Sequence, residues 1–214
     1  MPTAKKGYYA SGTRVPSVTT VISRFKESGA LLQWAYRQGL AGRELYAERD
    51  TAADIGTLVH SLVEADIRNQ PHPEIPAEFE ERVISGYSAW RDWWEHSRLE
   101  IVATEMHMIS TAHLYGGTPD AVGRDVHGRL VLLDWKTSNG VYTDHLIQLA
   151  AYLHLWDENH PDQPIEGGAH LVRFAKESGD FAHHYYPALP EAWQQFLLFR
   201  QAYDIDKQLK KRAA

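Results

Sequence analysis

The run Leu130-Val131-Leu132-Leu133 is apolar at every position and then ends abruptly in Asp134-Trp135-Lys136-Thr137-Ser138. A short continuous apolar run bounded by turn signals reads as a strand buried on both faces. Side chains along a strand alternate, so Leu130, Leu132, Asp134 and Lys136 share one side while Val131, Leu133, Trp135 and Thr137 share the other. Asp134 and Lys136 therefore point together from the end of a hydrophobic strand. Burying such a pair costs desolvation energy unless something holds it, and two holders satisfy the requirement: mutual ion pairing or a bound cation.

The rest of the composition narrows the class. A chain of 214 residues suits one sizeable domain that folds without crosslinks, and it contains no cysteine. That excludes thiolate zinc sites, iron–sulfur clusters and cysteine nucleophiles, so any metal must use oxygen or imidazole ligands. No apolar run is long enough to cross a bilayer, and none follows the lysines near the start, so the expectation is a soluble, non-secreted, cytoplasmic protein. A net charge of −6 argues mildly against a partner captured by bulk attraction. Local basic strips remain candidates, with Lys5, Lys6 and Arg14 at one end and Lys207, Lys210, Lys211 and Arg212 at the other. The second set equally suits a solvated helix end that complements the helix dipole.

Taken in order, Pro16-Ser17 followed by Val18 to Ile22 predicts a helix capped by Ser17. The hydroxyls of Ser17, Thr19 and Thr20 suit ordinary capping or a phosphate cradle. A second helix is expected from Ala30 to Glu48 on the spacing of Leu31, Leu32, Trp34, Ala35 and Leu40. A third, from Thr51 to Arg68, carries the stripe Ile55, Leu58, Val59, Leu62, Val63 and Ile67, with His60 and Glu64 one turn apart beside it. Glu64 suits a carboxylate that holds the His60 imidazole, or a plain surface pair. Pro71, Pro73 and Pro76 break the chain before a helix from Ala77 to Arg98, whose Phe79, Val83, Tyr87, Trp90 and Trp94 suit core packing or stacking on bases.

From Leu99 the period changes to two, predicting a single strand through Ile109. A glycine-rich bend at Gly116-Gly117, a second strand and a hairpin turn at His127-Gly128 lead into the apolar run. Pairing these strands brings Asp120 beside Asp134 and Lys136. A helix from Asp144 to Glu158 turns Leu146, Leu149, Ala150, Leu153 and Trp156 inward and leaves Gln148 and Tyr152 on an exposed stripe. Strands at Ala169 to Ala175 and Phe181 to Tyr186 flank a turn at Gly179, and a helix runs from Pro190 to the end. Adjacent His183 and His184 point to opposite faces, cannot easily share a metal, and read as ordinary.

Pro119-Asp120, the hairpin, and Asp134-Trp135-Lys136 resemble the signature of the PD-(D/E)XK nuclease superfamily. Gly56-Thr57-Leu58-Val59-His60 resembles the glycine and histidine motif of its RecB-like branch, and Gln148 with Tyr152 the glutamine and tyrosine motif that follows the sheet. Pro16-Ser17-Val18-Thr19 and Leu133 to Ser138 are similar to stretches of stand-alone phage exonucleases and of the mitochondrial genome maintenance exonuclease. The resemblance implies an α/β fold with a restriction-endonuclease-like core, a mixed central sheet flanked by helices, and an N-terminal helical cap. Residues 1–98 would form the helical region that contributes His60, and residues 99–214 the nuclease core, within one structural domain.

By the same resemblance, His60, Asp120, Asp134 and the main-chain carbonyl of Trp135 would bind magnesium or manganese. Lys136 would be the catalytic lysine, working with Asp120, Asp134, Gln148 and Tyr152. Gln148 and Tyr152 would brace the site and the nucleic-acid backbone, Ser17 and Thr19 would touch a phosphate, and Glu105 stands where relatives often carry an acid, while Glu64, on its spacing from His60 alone, would support that ligand. Branch members with an iron–sulfur cluster hold it with four cysteines, which this chain lacks. The implied activity is metal-dependent hydrolysis of DNA, as an exonuclease on single-stranded ends, in recombination, replication or repair, in the host cytoplasm if phage-encoded. The alternatives are an endonuclease of the same fold, a non-catalytic nucleic-acid-binding subunit of a recombination complex, or a metal-binding scaffold.

The chemistry is coherent in itself. Phosphodiester hydrolysis needs an activated water opposite the leaving oxygen and positive charge around the transition state. Carboxylate oxygens suit magnesium or manganese, an imidazole tilts the choice toward manganese, and two ions about 4 Å apart could clamp both oxygens. Lys136, with its pKa lowered by such cations, could orient or deprotonate the water.

Overall fold

The architecture comes from a computed structural model in which residues 7–26, 29–42, 45–138, 140–174 and 180–213 are described, with main chain alone at 30–31, 45–50 and 52–53. Lys5, Lys6 and the expected turn at Gly179 lie outside the described residues, as does the side chain of Leu31. A hairpin of β1 (Tyr8–Ala10) and β2 (Thr13–Val15) comes first. Its turn residues Ser11 and Gly12 both have positive φ, 47° and 77°, as a two-residue hairpin turn demands. Strands of three residues carry too little alternation to announce themselves, and this hairpin was not among the expected elements.

Helix α1 (Val18–Phe25) starts where expected: Ser17 Oγ accepts a hydrogen bond from the Thr20 amide at 3.0 Å, and Val18, Val21 and Ile22 are buried. Next come α2 (Gly29–Leu40), α3 (Leu45–Ile67) and α4 (Glu80–Ser97), the last two separated by the proline-broken stretch 71–76. In α2 the residues that set the expected helical spacing divide: Leu32 and Leu40 are 66% and 71% exposed, with Tyr36 between them at 68%, whereas Trp34 and Ala35 are half-buried. The remaining elements are β3 (Glu100–Thr104), β4 (Met108–Ser110), β5 (Tyr115–Gly117), β6 (Ala121–Arg124), β7 (Leu130–Lys136), α5 (Thr143–Asn159), β8 (Ala169–Phe174), β9 (Phe181–Tyr186) and α6 (Pro190–Ala213). No helix of the described residues is long and apolar enough to cross a membrane.

The single strand expected over 99–109 is in fact two strands in different sheets. Glu105 adopts φ 49°, a left-handed conformation that turns the chain between β3 and β4. β4 then pairs with β5, while β3 pairs with β6 in the main sheet, ordered β3-β6-β7-β8-β9. Every pairing in that sheet is antiparallel except β7 with β8, which α5 connects as the crossover that a parallel pair requires.

β7 is the central strand, which explains why its run is apolar on both sides. Leu130 and Leu132 pack with residues of α1, α5 and α6, whereas Val131, Leu133 and Trp135 pack with α3 and α4. The alternation is the expected one. The α4 aromatics serve as core: Trp90 and Trp93 meet the Trp135 ring edge to face at centroid distances of 6.4 and 5.4 Å. Trp93, absent from the expected stripe, is buried.

α5 corrects a second expectation. Tyr152 is 5% exposed, because α5 is covered by the sheet on one side and by α1, β5 and α6 on others. Gly117 makes room for it, since a Cβ there would stand 2.6 Å from the Tyr152 ring and 2.8 Å from Leu155. On β9, His183 Nε2 lies 2.7 Å from His170 Nδ1 of β8 and stacks with that ring, while the neighbouring His184 belongs to the other face.

Gly117→Ala is expected to destabilise the protein by about 1–3 kcal/mol, the usual cost of overpacking, read as a lower urea midpoint with unchanged slope. A second outcome concerns acid. Burial pushes His170 down to about 4, with the His183 ring adding to the drop, and burial likewise pushes His145 down to about 4, helped by Lys136 and Lys26. Both rings are neutral in the fold, whereas the unfolded chain takes up protons at the ordinary value of about 6.5. Their contribution to stability is complete above that value and is lost as the pH falls toward about 4. Urea midpoints should fall across this window, and His170→Gln should flatten the fall; an identical profile in the variant would contradict the assignment.

Candidate active site

Asp134 and Lys136 leave the end of β7 on the α5 side, and Asp120 sits in the bend that opens the neighbouring β6. Asp120 Oδ2 accepts a hydrogen bond from the Trp135 amide at 2.7 Å, and its main-chain carbonyl accepts one from the Glu105 amide at 3.1 Å. The Trp135 ring is packed into the core against α4, so the amide that holds Asp120 is itself fixed. The other Asp120 oxygen, Oδ1, lies 3.6 Å from His60 Nδ1. His60 arrives from α3, whose buried Ile55, Val59, Leu62 and Val63 pin that helix to the sheet and bring the ring to its edge.

Lys136 Nζ lies 2.5 Å from Asp134 Oδ2, yet off the direction of an aligned hydrogen bond, so this buried oxygen has no well-directed donor. Asp134 is 1% exposed. Burial pushes its carboxyl up to about 6, against the pull of the Lys136 ammonium and with a further push from Asp120. Burial also raises Asp120, but His60 and Lys136 outweigh it and hold that carboxyl below the usual range. Burial would lower His60, and Asp120 reverses the sign, so the imidazole is held above its ordinary value.

For Lys136 the neighbouring carboxylates decide the balance. Burial lowers it, but Asp134 and then Asp120 outweigh burial and hold it above the ordinary lysine value. As it stands, Lys136 is an ammonium, a donor and a charge rather than a base.

The other expected residues divide. Gln148 Nε2 donates to Tyr152 Oη at 3.0 Å, and burial, with Asp134 adding, holds the phenol well above its usual value. Tyr152 thus keeps its proton and, with Gln148 donating to its oxygen, has that proton free for another acceptor. Glu64 does not hold His60: its carboxylate pairs with Arg68, one turn further along, at 2.5 Å, a full cation in place of an imidazole. Glu64 and Glu105 nevertheless both line the cleft formed by His60, Thr104, Asp120 and Trp135. Ser17 Oγ caps α1 and bonds to the Thr19 and Thr20 hydroxyls at 3.0 and 2.7 Å. Sequence reasoning missed Tyr8, whose hydroxyl bonds Thr118 at 2.8 Å and whose ring stacks on His107.

The donor chemistry fits a divalent cation. Two carboxylates supply hard oxygens, one buried oxygen lacks an aligned donor, and an imidazole stands beside them. Among the described residues no three His, Asp or Glu side chains already stand in ligating geometry, since Asp134 faces Lys136 and Asp120 faces the Trp135 amide.

A model of the PD-(D/E)XK nuclease superfamily matches residues 20–211. Among solved structures, the chain is similar to a candidate exonuclease from Eubacterium rectale, with 13% identity and a TM-score of 0.44 over 67% of this chain and 64% of that one. It thus spans just under two thirds of that neighbour's length. It is also similar to the protein SSO0001, with 17% identity and a TM-score of 0.34 over 68% of this chain and 71% of that one. No match was found among curated proteins.

If Asp134 is a cation ligand, magnesium or manganese should raise the melting temperature, by the equivalent of about 2.7 kcal/mol at a hundredfold excess over the dissociation constant. Asp134→Asn should abolish that rise. A wild-type melting curve indifferent to both cations would contradict the fit.

Proposed function

The chain belongs to the PD-(D/E)XK nuclease superfamily, and from that premise we propose that it is a metal-dependent deoxyribonuclease, an exonuclease that shortens single-stranded DNA from a free end. One observation carries the reading: Asp120 from the bend before β6, Asp134 and Lys136 from the end of β7, and His60 from a distant helix meet at one end of the central strand pair. A buried ionisable cluster of this kind is costly to maintain, and such clusters concentrate at functional sites.

In this reading His60, Asp120, Asp134 and the Trp135 carbonyl hold magnesium or manganese. The chemistry supplied by such a cation, when bound, would be acidification of a water and neutralisation of charge on the phosphoryl group. Lys136, an ammonium beside Asp134, donates to a phosphoryl oxygen or orients the attacking water. Tyr152, kept protonated, donates a hydrogen bond to the backbone, and Gln148 fixes the phenol. Ser17 and Thr19 present hydroxyls to a phosphate, while Glu64 and Glu105 set the charge of the cleft. The exonuclease preference rests on the likeness of Pro16 to Thr19 and of Leu133 to Ser138 to stand-alone exonucleases. Recombination or replication proteins in the cytoplasm would be its partners.

The test uses end-labelled linear and closed circular single-stranded DNA with magnesium or manganese. The reading predicts loss of linear strands, survival of circles, and a loss of at least about a hundredfold in rate for Lys136→Ala with the fold intact. Cleaved circles would indicate an endonuclease, and a fully active Lys136→Ala would remove the assigned role.

A further inference from the structure

Away from the cleft, α1 and α6 enclose a groove of about 690 Å³ lined by Thr20 and Arg24 on one side and by Asp206, Lys207, Lys210 and Lys211 on the other. Asp206 pairs with Arg24 and, at 3.3 Å, with Lys210. Neither Lys207 nor Lys211 pairs with a described carboxylate. One carboxylate therefore faces four cations, a local positive excess in a chain of net charge −6. A helix end complementing its dipole would account for the α6 lysines alone. Arg24, in the last turn of α1, suits its own helix dipole in the same way; what neither dipole requires is that the basic ends of two helices from opposite ends of the chain line one groove.

The groove also connects to the cleft. Thr20 Oγ1 bonds Ser17 Oγ, and Ser17 bridges to Gly116 of β5. The adjacent Tyr8 ring lies over Gly116, and its hydroxyl bonds Thr118, two residues before Asp120. Two hydroxyl pairs, Thr20 with Ser17 and Tyr8 with Thr118, thus stand on either side of Gly116 between the basic groove and the acidic centre.

We infer that the α1–α6 groove is a second grip on the same strand, holding backbone phosphates of single-stranded DNA away from the bond being cut; the identity of the strand rests on the nuclease reading above. From Tyr203 to Lys211 the α6 wall is about 12 Å long at 1.5 Å per residue, enough for about three phosphates at the spacing of a stacked strand. Lysine and arginine hold such phosphates without regard to base, as a nuclease indifferent to sequence requires.

The experiment measures binding of a long and a short oligothymidylate in calcium, and cleavage of both in magnesium or manganese. The variants are the triple substitution Lys207→Gln, Lys210→Gln, Lys211→Gln and the single Asp206→Asn. Because the triple variant has three fewer ammonium groups to neutralise phosphates, the slope of log affinity against log salt for the long strand should fall by about 2, roughly a hundredfold in affinity at about 0.1 M salt. Binding and cleavage of the short strand should not change, and Asp206→Asn should tighten the long strand by freeing Arg24 and Lys210. Matching thermal melts keep the comparison one of binding. Unchanged long-strand affinity and slope in the triple variant, or equal weakening at both lengths, would overturn the inference. A wild-type protein that cuts neither strand yet shows the lysine-dependent slope would remove the nuclease reading and leave the groove. One that cuts both, with the triple variant binding as wild type, would do the reverse.

Discussion

Asp134 is a carboxylate at the end of a strand whose preceding residues are apolar on both faces, and its burial governs the chemistry around it. Water cannot screen it, so its interactions with Lys136, Asp120 and His60 act through a medium of low polarity and are correspondingly strong. Asp120 is held by the amide of Trp135, the next residue on β7, and that amide is held by a ring wedged among Trp90 and Trp93. The hydrophobic core thus fixes the polar end through one main-chain hydrogen bond. The layering follows from the same strand: α3 and α4 cover the Val131, Leu133, Trp135 face, and α5 covers the face of Leu130 and Leu132.

Opposed shifts on neighbouring carboxyls give the site its character. Asp120 is drawn down by cationic neighbours while Asp134 is pushed up to about 6, chiefly by burial. An added positive charge would relieve Asp134 most, since its buried oxygen lacks an aligned donor. In the proposed reading a bound cation would supply that charge, and so link the superfamily to the particular residues of this chain. The basic groove between α1 and α6 complements it, for an acidic protein needs a local source of attraction to hold a polyanion.

Much of this was legible in the sequence where the signal is local and periodic. The four apolar residues of β7 and the Asp134-Trp135-Lys136 that follows set the strand and the faces of its side chains, and the hairpin at His127-Gly128 brought Asp120 alongside. The α3 stripe identified the buried face of that helix, while His60, beside the stripe, was tied to the site by the family resemblance alone. Legibility ended where tertiary surroundings decide. Glu105 continues the alternating pattern in sequence but takes a left-handed φ that no pattern encodes, splitting one expected strand in two. Tyr152 lies on what looks like a polar stripe, and becomes buried because β5, with its Gly116-Gly117 pair, closes over that side of α5. Glu64 has a candidate partner one turn away in each direction, and the full charge of Arg68 outcompetes His60. Arg24 and Asp206 are 182 residues apart, so their shared groove had no signature in the chain.

Cation capture by Asp120 and Asp134 underlies all of the proposed chemistry, and the most direct measurement of it is anomalous diffraction from crystals soaked in manganese. The expected result is an anomalous peak in direct contact with carboxylate oxygens of both Asp120 and Asp134, beside the His60 ring. A peak elsewhere, or Asp134 still closed on Lys136 with no manganese at either carboxylate, would contradict it.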